Sequence, residues 1–231
     1  MSLKLLALDT STEACSAALS IDGEIKQLYQ LAPREHTHLI LGMIESLLQD
    51  AGLKSRDIDV MAFGRGPGSF MGVRVAAGVV QGIAFAHSIP VVPVSTLAAI
   101  ADVAMQQTGE SQVLAAIDAR MNEVYWGAYQ RNETGQIILQ GEECVVPPEQ
   151  APMPEQGQWV AAGTGWGSYA EVLKPALADR CITTLDECFP SAEAIARLAL
   201  DSYKNGAAVP AAKAVPVYLR DNVASKPKSA V

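Results

Sequence analysis

Two acids at the ends of apolar runs and one glycine-rich turn are the residues of this 231-residue chain whose types could do chemistry. Asp9, Thr10 and Ser11 close the first run, and Asp118 closes another 109 residues later. Between them lies FGRGPGSFMGVRVAAG, residues 63–78, in which Gly66, Gly68 and Ser69 precede an apolar helical pattern. An acid that holds a metal ion or its waters, with hydroxyls and bare backbone N–H groups around phosphates, is the equipment of phosphoryl transfer. The competing reading is structural, because strand-end acids and hydroxyls also satisfy the backbone of turns.

The glycine turn meets no strict phosphate fingerprint. A Walker loop needs Gly and Lys five and six residues after its first glycine, and Gly66 is followed there by Met71 and Gly72. The dinucleotide pattern also fails, with Met71 where a third glycine belongs, and no lysine occurs between Lys54 and Lys174. Arg65 and Arg74 remain as groups that could meet a phosphate. Asp9, Thr10, Ser11, Gly66, Gly68, Ser69 and Asp118 are therefore read as a vestigial phosphate site, and no catalytic set is assigned.

Cys15, Cys144, Cys181 and Cys188 form no C-x-x-C pair, which points to reduced thiols and away from zinc or a disulfide framework. His36 and His38, two apart on a predicted helix, face opposite ways and cannot easily chelate one ion. No metal site is expected. Ser11, Ser69 and Cys15 lack a recognisable histidine and acid to activate them, so a peptidase is the weakest functional reading.

The elements that must position these residues follow from periodicity. LKLLALD (3–9) reads as a strand, and residues 14–31 as two more around an Asp22-Gly23 turn. A helix is predicted over 35–51, a strand over 57–63, a helix over 70–87 and a short strand over 90–93. The logic then restarts: residues 113–139 again give strand, Asp118, turn, strand, glycine turn, strand. Further strands are predicted at 142–146, 159–163 and 180–184. Residues 147–157 read as a Pro-rich surface loop and GTGWGS as a turn. Helices are predicted at 168–177 and 191–204, the last capped by Ser191. Two similar mixed halves imply an α/β protein, divided as 1–99 and 100–231.

Charge and surface bear on partners. The formal charge of −8 argues against unaided nucleic-acid binding, although residues 203–231 carry +4 and leave −12 on the rest. That basic tail is read as a solvated end or a segment that packs back on the first half. The N-terminal segment reaches Asp9 too early for a signal-peptide apolar region, so a cytoplasmic chain with no membrane partner is expected. The helix at 70–87 has Arg74 and Gln81 as its only strongly polar interior members, and the helix at 35–51 carries more apolar residues than one core stripe needs. Leu39, Ile40, Met43, Ile44, Leu47, Phe70, Val73, Arg74, Ala77, Val80, Gln81 and Ala84 are accordingly taken as partner-binding, with Gly72, Gly78 and Gly82 thinning the second helix for close approach. A monomer could also bury both helices internally.

LALDTSTEACSAAL, GPGSF-x-G-x-R within the glycine stretch, VSTLAAIA, AAIDARMNEVYW and PVYLR, in that order from residue 4 to about 224, resemble the TsaB (YeaZ) family. The resemblance implies the actin-like, sugar-kinase-like (ASKHA) fold of duplicated ribonuclease-H-like domains. It implies a non-catalytic subunit of tRNA threonylcarbamoyladenosine synthesis, paired with the catalytic paralogue TsaD and joined by the ATPase TsaE. In that pathway threonylcarbamoyl passes from threonylcarbamoyl-AMP to N6 of the adenosine 3′ to the anticodon. It further implies self-pairing through the same helices when TsaD is absent, tRNA contact only through the complex, no cofactor bound by this chain alone, and ATP with magnesium at the partner interface. The metal-binding H-x-x-x-H pair of the catalytic paralogue is missing here, with Ile40 four residues after His36. The alternatives are a stand-alone actin-like ATPase or small-molecule kinase using Asp9 and Asp118, and a glycoprotease-like peptidase.

Overall fold

A computed structural model describes residues 2–220. Its first half opens with β1 (Lys4–Asp9), β2 (Ala14–Ile21) and β3 (Glu24–Leu31), followed by α1 (His36–Asp50), β4 (Val60–Gly64), α2 (Phe70–His87), β5 (Val91–Val94) and α3 (Thr96–Thr108). The second half has β6 (Gln112–Asp118), β7 (Val124–Arg131), β8 (Ile137–Val146), β9 (Trp159–Ala162), α4 (Thr164–Ser168), α5 (Ala170–Leu177), β10 (Cys181–Leu185) and α6 (Ala192–Lys204). One sheet runs β3-β2-β1-β4-β5 and the other β8-β7-β6-β9-β10. In both, the first three strands are antiparallel and the last two join in parallel. The repeat in the sequence is thus a repeat of topology, with β6 standing where β1 stands.

Five layers account for the apolar composition. Along β1, Leu6 and Leu8 turn to α1 and α2, while Leu5 and Ala7 turn to the opposite face, as a period of two requires. That opposite face is covered by α6, from the second half, through Ala192, Ile195, Ala196 and Ala199. Reciprocally, α3 of the first half lies on the second sheet through Leu97, Ile100, Ala101 and Ala104 against Val113 and Ala115. The outer face of the second sheet packs on α4 and α5 through Trp166, Leu173 and Leu177. The two central helices are therefore exchanged between halves, and strands buried on both faces read as unbroken apolar runs.

Several expectations need correction. Helix α3 is one unbroken helix from Thr96 to Thr108, so a division at 99/100 falls inside it. Its signals are present: Ser95 Oγ accepts from Ala98 N at its start, and Gly109 ends it at φ 76°. Being buried on most sides it shows no clear polar stripe, and periodicity alone missed it. The strands expected at 137–139 and 142–146 are one ten-residue strand, β8, whose pairing with β7 shifts register near Gly141 (φ 80°). GTGWGS is largely the short helix α4, not a turn. The strand expected from 57 begins at Val60, after a 3-10 turn over Ser55–Asp57. By length and composition α2 could cross a bilayer, yet it packs its inner stripe on the first sheet.

The chain after α6 returns to the first half. Val209 bridges Val91 at the free edge of β5, and Ala211 and Ala214 enter the core beneath α2. The rest of the basic tail, 221–231, lies outside the described residues.

Candidate functional site

At the end of β1 the chain turns through Asp9, Thr10 and Ser11, all three without solvent exposure. Asp9 Oδ1 accepts from Ser11 N at 3.0 Å and from Ser11 Oγ at 2.9 Å. Thr96 Oγ1, at the start of α3, donates to Ser11 Oγ at 3.1 Å. The glycine-rich turn is pressed onto this loop: Ser69 N donates to Ser11 O at 2.7 Å and Thr10 Oγ1 donates to Gly72 O at 2.7 Å. A Cβ added at Gly64 would sit 1.8 Å from Asp9 Oδ2, and one at Gly68 would sit 2.3 Å from Ser11 O. Gly66 (φ 100°) lies under the returning chain, where a Cβ would meet Val217 O at 2.9 Å. Ser69 caps α2, accepting from Gly72 N at 3.4 Å.

The structure thus brings Asp9, Thr10, Ser11, Gly66, Gly68 and Ser69 together, and Asp118 makes its bonds elsewhere. Asp118 Oδ1 accepts from Arg120 N at 2.8 Å and from Tyr169 OH at 3.2 Å, and its Oδ2 pairs with Arg120 Nη1 at 2.9 Å. Between the halves Arg65 meets Glu143 at 3.6 Å, and Glu143 also accepts from Ser95 Oγ and Tyr129 OH. Burial beside that carboxylate pushes the Tyr129 hydroxyl well above its usual range. At the turn after β1 the Ser11 and Ser69 amides and the Thr10, Ser11 and Thr96 hydroxyls donate to groups of the chain itself, and Asp9 is buried against Gly64. Among the described residues no group of His, Cys, Asp and Glu is arranged to hold a metal ion.

Burial pushes Asp9 from the ordinary 3.8 up to about 6, against the opposing pull of the Ser11 hydrogen bonds. Because the folded carboxyl keeps its proton to higher pH than the unfolded one, its contribution is fully present below the unfolded value and is lost as pH rises through the folded one. The difference amounts to about 3 kcal/mol of stability. Asp9→Asn, which keeps an acceptor for Ser11 N, is expected to remove this loss and be about 2–3 kcal/mol more stable than wild type at pH 8. Urea unfolding at pH 5 and pH 8 checks it; an unchanged pH slope in the variant would show that Asp9 is not the group responsible. The thiols are similarly subdued. Burial, aided by Asp9, pushes Cys15 up to about 11, and burial pushes Cys188 up to about 12, so neither is an activated nucleophile.

The second candidate surface is the outer side of α1 and α2. Here the sequence expectation is corrected, because Ile40, Ile44, Leu47, Val73, Ala77, Val80 and Ala84 are buried in the chain's own core against the first sheet. Leu39 and Met43 are half-buried, and Gln81 is half-buried with its Nε2 donating to Ala214 O at 3.0 Å. Phe70 and Arg74 do face outward. They stand with Leu41, Met71 and Phe85, which are 58%, 65% and 80% exposed, against 55% for Phe70. Met71, Arg74, Gly78, Gly82 and Phe85 follow one another at spacings of three and four, which places them on one helical stripe. A Cβ at Gly42, Gly78 or Gly82 would meet nothing within 4 Å. The outer face is apolar at its ends and flat in its middle, which lets another helix approach closely.

Two copies of one mixed five-stranded sheet, each continuing into an exchanged central helix, define the actin-like ASKHA class of α/β proteins. The family described as "TsaD: tRNA N6-adenosine threonylcarbamoyltransferase" matches residues 28–228. The Escherichia coli (strain K12) protein named tRNA threonylcarbamoyladenosine biosynthesis protein TsaB is 43% identical over 97% of both chains. Its Haemophilus influenzae namesake is 42% identical over 97% of this chain and 96% of that one. A solved structure described as YeaZ from Pseudomonas aeruginosa superposes with a TM-score of 0.88 at 47% identity, covering 94% of this chain and 100% of that one. The chain belongs to the TsaB (YeaZ) family, within the wider group matched by the TsaD description.

Proposed function

We propose that this chain is a non-catalytic subunit for the biosynthesis of threonylcarbamoyladenosine in tRNA. It works in the cytoplasm with a TsaD-type catalytic paralogue and TsaE, which together move threonylcarbamoyl from threonylcarbamoyl-AMP to N6 of the adenosine 3′ to the anticodon. The observation that carries this reading is the contrast between its two surfaces: a turn in which Asp9, Thr10 and Ser11 are buried and bonded within the chain, and an outer α1/α2 face left apolar and thin. The chain holds its partner in the competent conformation by binding that conformation more tightly than others. A face of this kind, at ordinary interface size, supports micromolar or tighter pairing. In the partner's absence a second copy occupies the same face, tRNA is met only through the complex, and ATP with magnesium is held at the partner interface.

Reconstitution tests the reading. TsaD-type enzyme, TsaE, threonylcarbamoyl-AMP and tRNA should give modified adenosine at least about tenfold faster with this chain than without it, a difference of about 1.4 kcal/mol in the barrier. Full modification in its absence would sink the idea. Titration of the isolated chain with Mg-ATP separates the rival: micromolar binding by this chain alone would favour a stand-alone ATPase.

A further inference from the structure

The segment after α6 joins three parts of the molecule. Gln81 Nε2 holds Ala214 O, and Val217 N donates to Arg65 O at 2.8 Å, which lays Tyr218 beside the first turn of α2. The Tyr218 and Phe70 ring centroids are 6.1 Å apart. The guanidinium carbon of Arg74 lies 3.4 Å from the Phe70 ring centre and 5.3 Å from that of Tyr218. Two residues on, Arg220 crosses to the second half, where it pairs with Glu123 and donates to Ala119 O at 3.1 Å and Arg120 O at 3.3 Å. Those carbonyls flank a loop in which Arg120, Met121 and Asn122 stand at φ 60°, 57° and 58°, a region that side chains disfavour. Arg220 and the Asp118 carboxylate, which accepts from Arg120 N, hold this loop.

We infer that α2 and the returning segment form one composite docking site, in which Arg74 anchors a carboxylate of the TsaD-type partner and the Arg220 clasp keeps that anchor in place. This rests on the pairing face described above and names what that face recognises. Among the described residues no carboxylate lies within ion-pair distance of Arg74. Its charge stands among exposed Phe70, Met71 and Tyr218. A partner that covered this patch with apolar atoms alone would strand a desolvated guanidinium, so the fitting partner brings the opposite charge. A second copy docked about a two-fold axis brings another Arg74 to the same face, which is the less complementary pairing. Stacking on the rings restricts the guanidinium before binding, so little rotamer freedom remains to be lost on docking. Arginine and tyrosine grouped in this way are the usual composition of interface hot spots.

The test measures affinity of the full chain for a TsaD-type partner by calorimetry, with melting temperatures recorded alongside. Arg74→Ala is expected to weaken pairing about 10- to 100-fold and Arg74→Lys to restore only part of it. The salt dependence of the association rate should flatten in Arg74→Ala. Tyr218→Ala, which removes one of the rings on which Arg74 stacks, and Glu123→Gln, on the far side of the clasp and away from the partner, are each expected to cost about 3- to 20-fold. Wild-type affinity in Arg74→Ala and Tyr218→Ala, while filling Gly78 and Gly82 still abolishes pairing, overturns the anchor and leaves the pairing face standing. Weakening in Arg74→Ala but not in Glu123→Gln overturns the clasp. Undiminished pairing after filling Gly78 and Gly82 overturns the pairing face itself, and with it the anchor.

Discussion

Gly72→Ala is expected to cost the chain about 3 kcal/mol or more, enough to unfold a marginally stable domain. The added Cβ would lie 2.0 Å from Thr10 O and 3.1 Å from Thr10 C, which are backbone atoms that no rotamer change can remove. The helix cannot back away freely, because Thr10 Oγ1 is bonded to Gly72 O and Ser69 N to Ser11 O. The gain in helix propensity, about 1 kcal/mol for glycine to alanine, is too small to offset that clash. Urea denaturation of the purified variant measures it, and a wild-type midpoint would mean that the turn and the β1–β2 loop do not need their close approach. Gly68→Ala, with its Cβ 2.3 Å from Ser11 O, should behave alike.

Substituting Gly78 and Gly82 together by glutamine is expected to do the opposite to the free chain. Both positions open onto empty space, so each substitution should stabilise helix α2 by up to about 1 kcal/mol. The same side chains fill the thin strip between Met71 and Phe85, and pairing with a TsaD-type partner should fall at least about 100-fold, near 3 kcal/mol. The opposing signs are the value of the pair: a raised melting temperature together with lost pairing cannot be ascribed to misfolding. Retained pairing would place the interface on another surface.

Gly72 and Gly78 lie on different sides of one helix and illustrate what is local and what is not. The strands, the Asp22-Gly23 turn, both long helices and the Ser191 cap follow from period, turn chemistry and capping, and the structure has them within a few residues of where these rules place them. The recurrence of strand, acid and hairpin at Asp9 and Asp118 likewise fixes the duplicated topology. Helix α3 escaped because the layer between the sheets buries it on most sides and erases the polar stripe by which surface helices are recognised. The outward-facing residues of α1 and α2 were harder for a related reason. Choosing the most apolar positions of α1 and α2 selects Ile40, Ile44, Val73, Val80 and Ala84, and the most apolar stripe of such a helix belongs to its own core. The proposed docking stripe carries Arg74, Gly78 and Gly82 among its apolar residues, and Met71 and Phe85 are conspicuous only once the sheet has claimed the other side.

The amino-acid sequence by itself determined most of the strands and the surface helices, their duplication and the family, because strand period, turns and motif spacing are set by neighbours along the chain. Only the tertiary structure decided the uses of the glycine stretch, the exchange of α3 and α6 between halves, and the seating of Tyr218 on Arg74. Each of those depends on which groups, remote in sequence, come within a few ångströms: Thr10 O beneath Gly72, nothing above Gly78, and a returning chain that brings residue 218 beside residue 70.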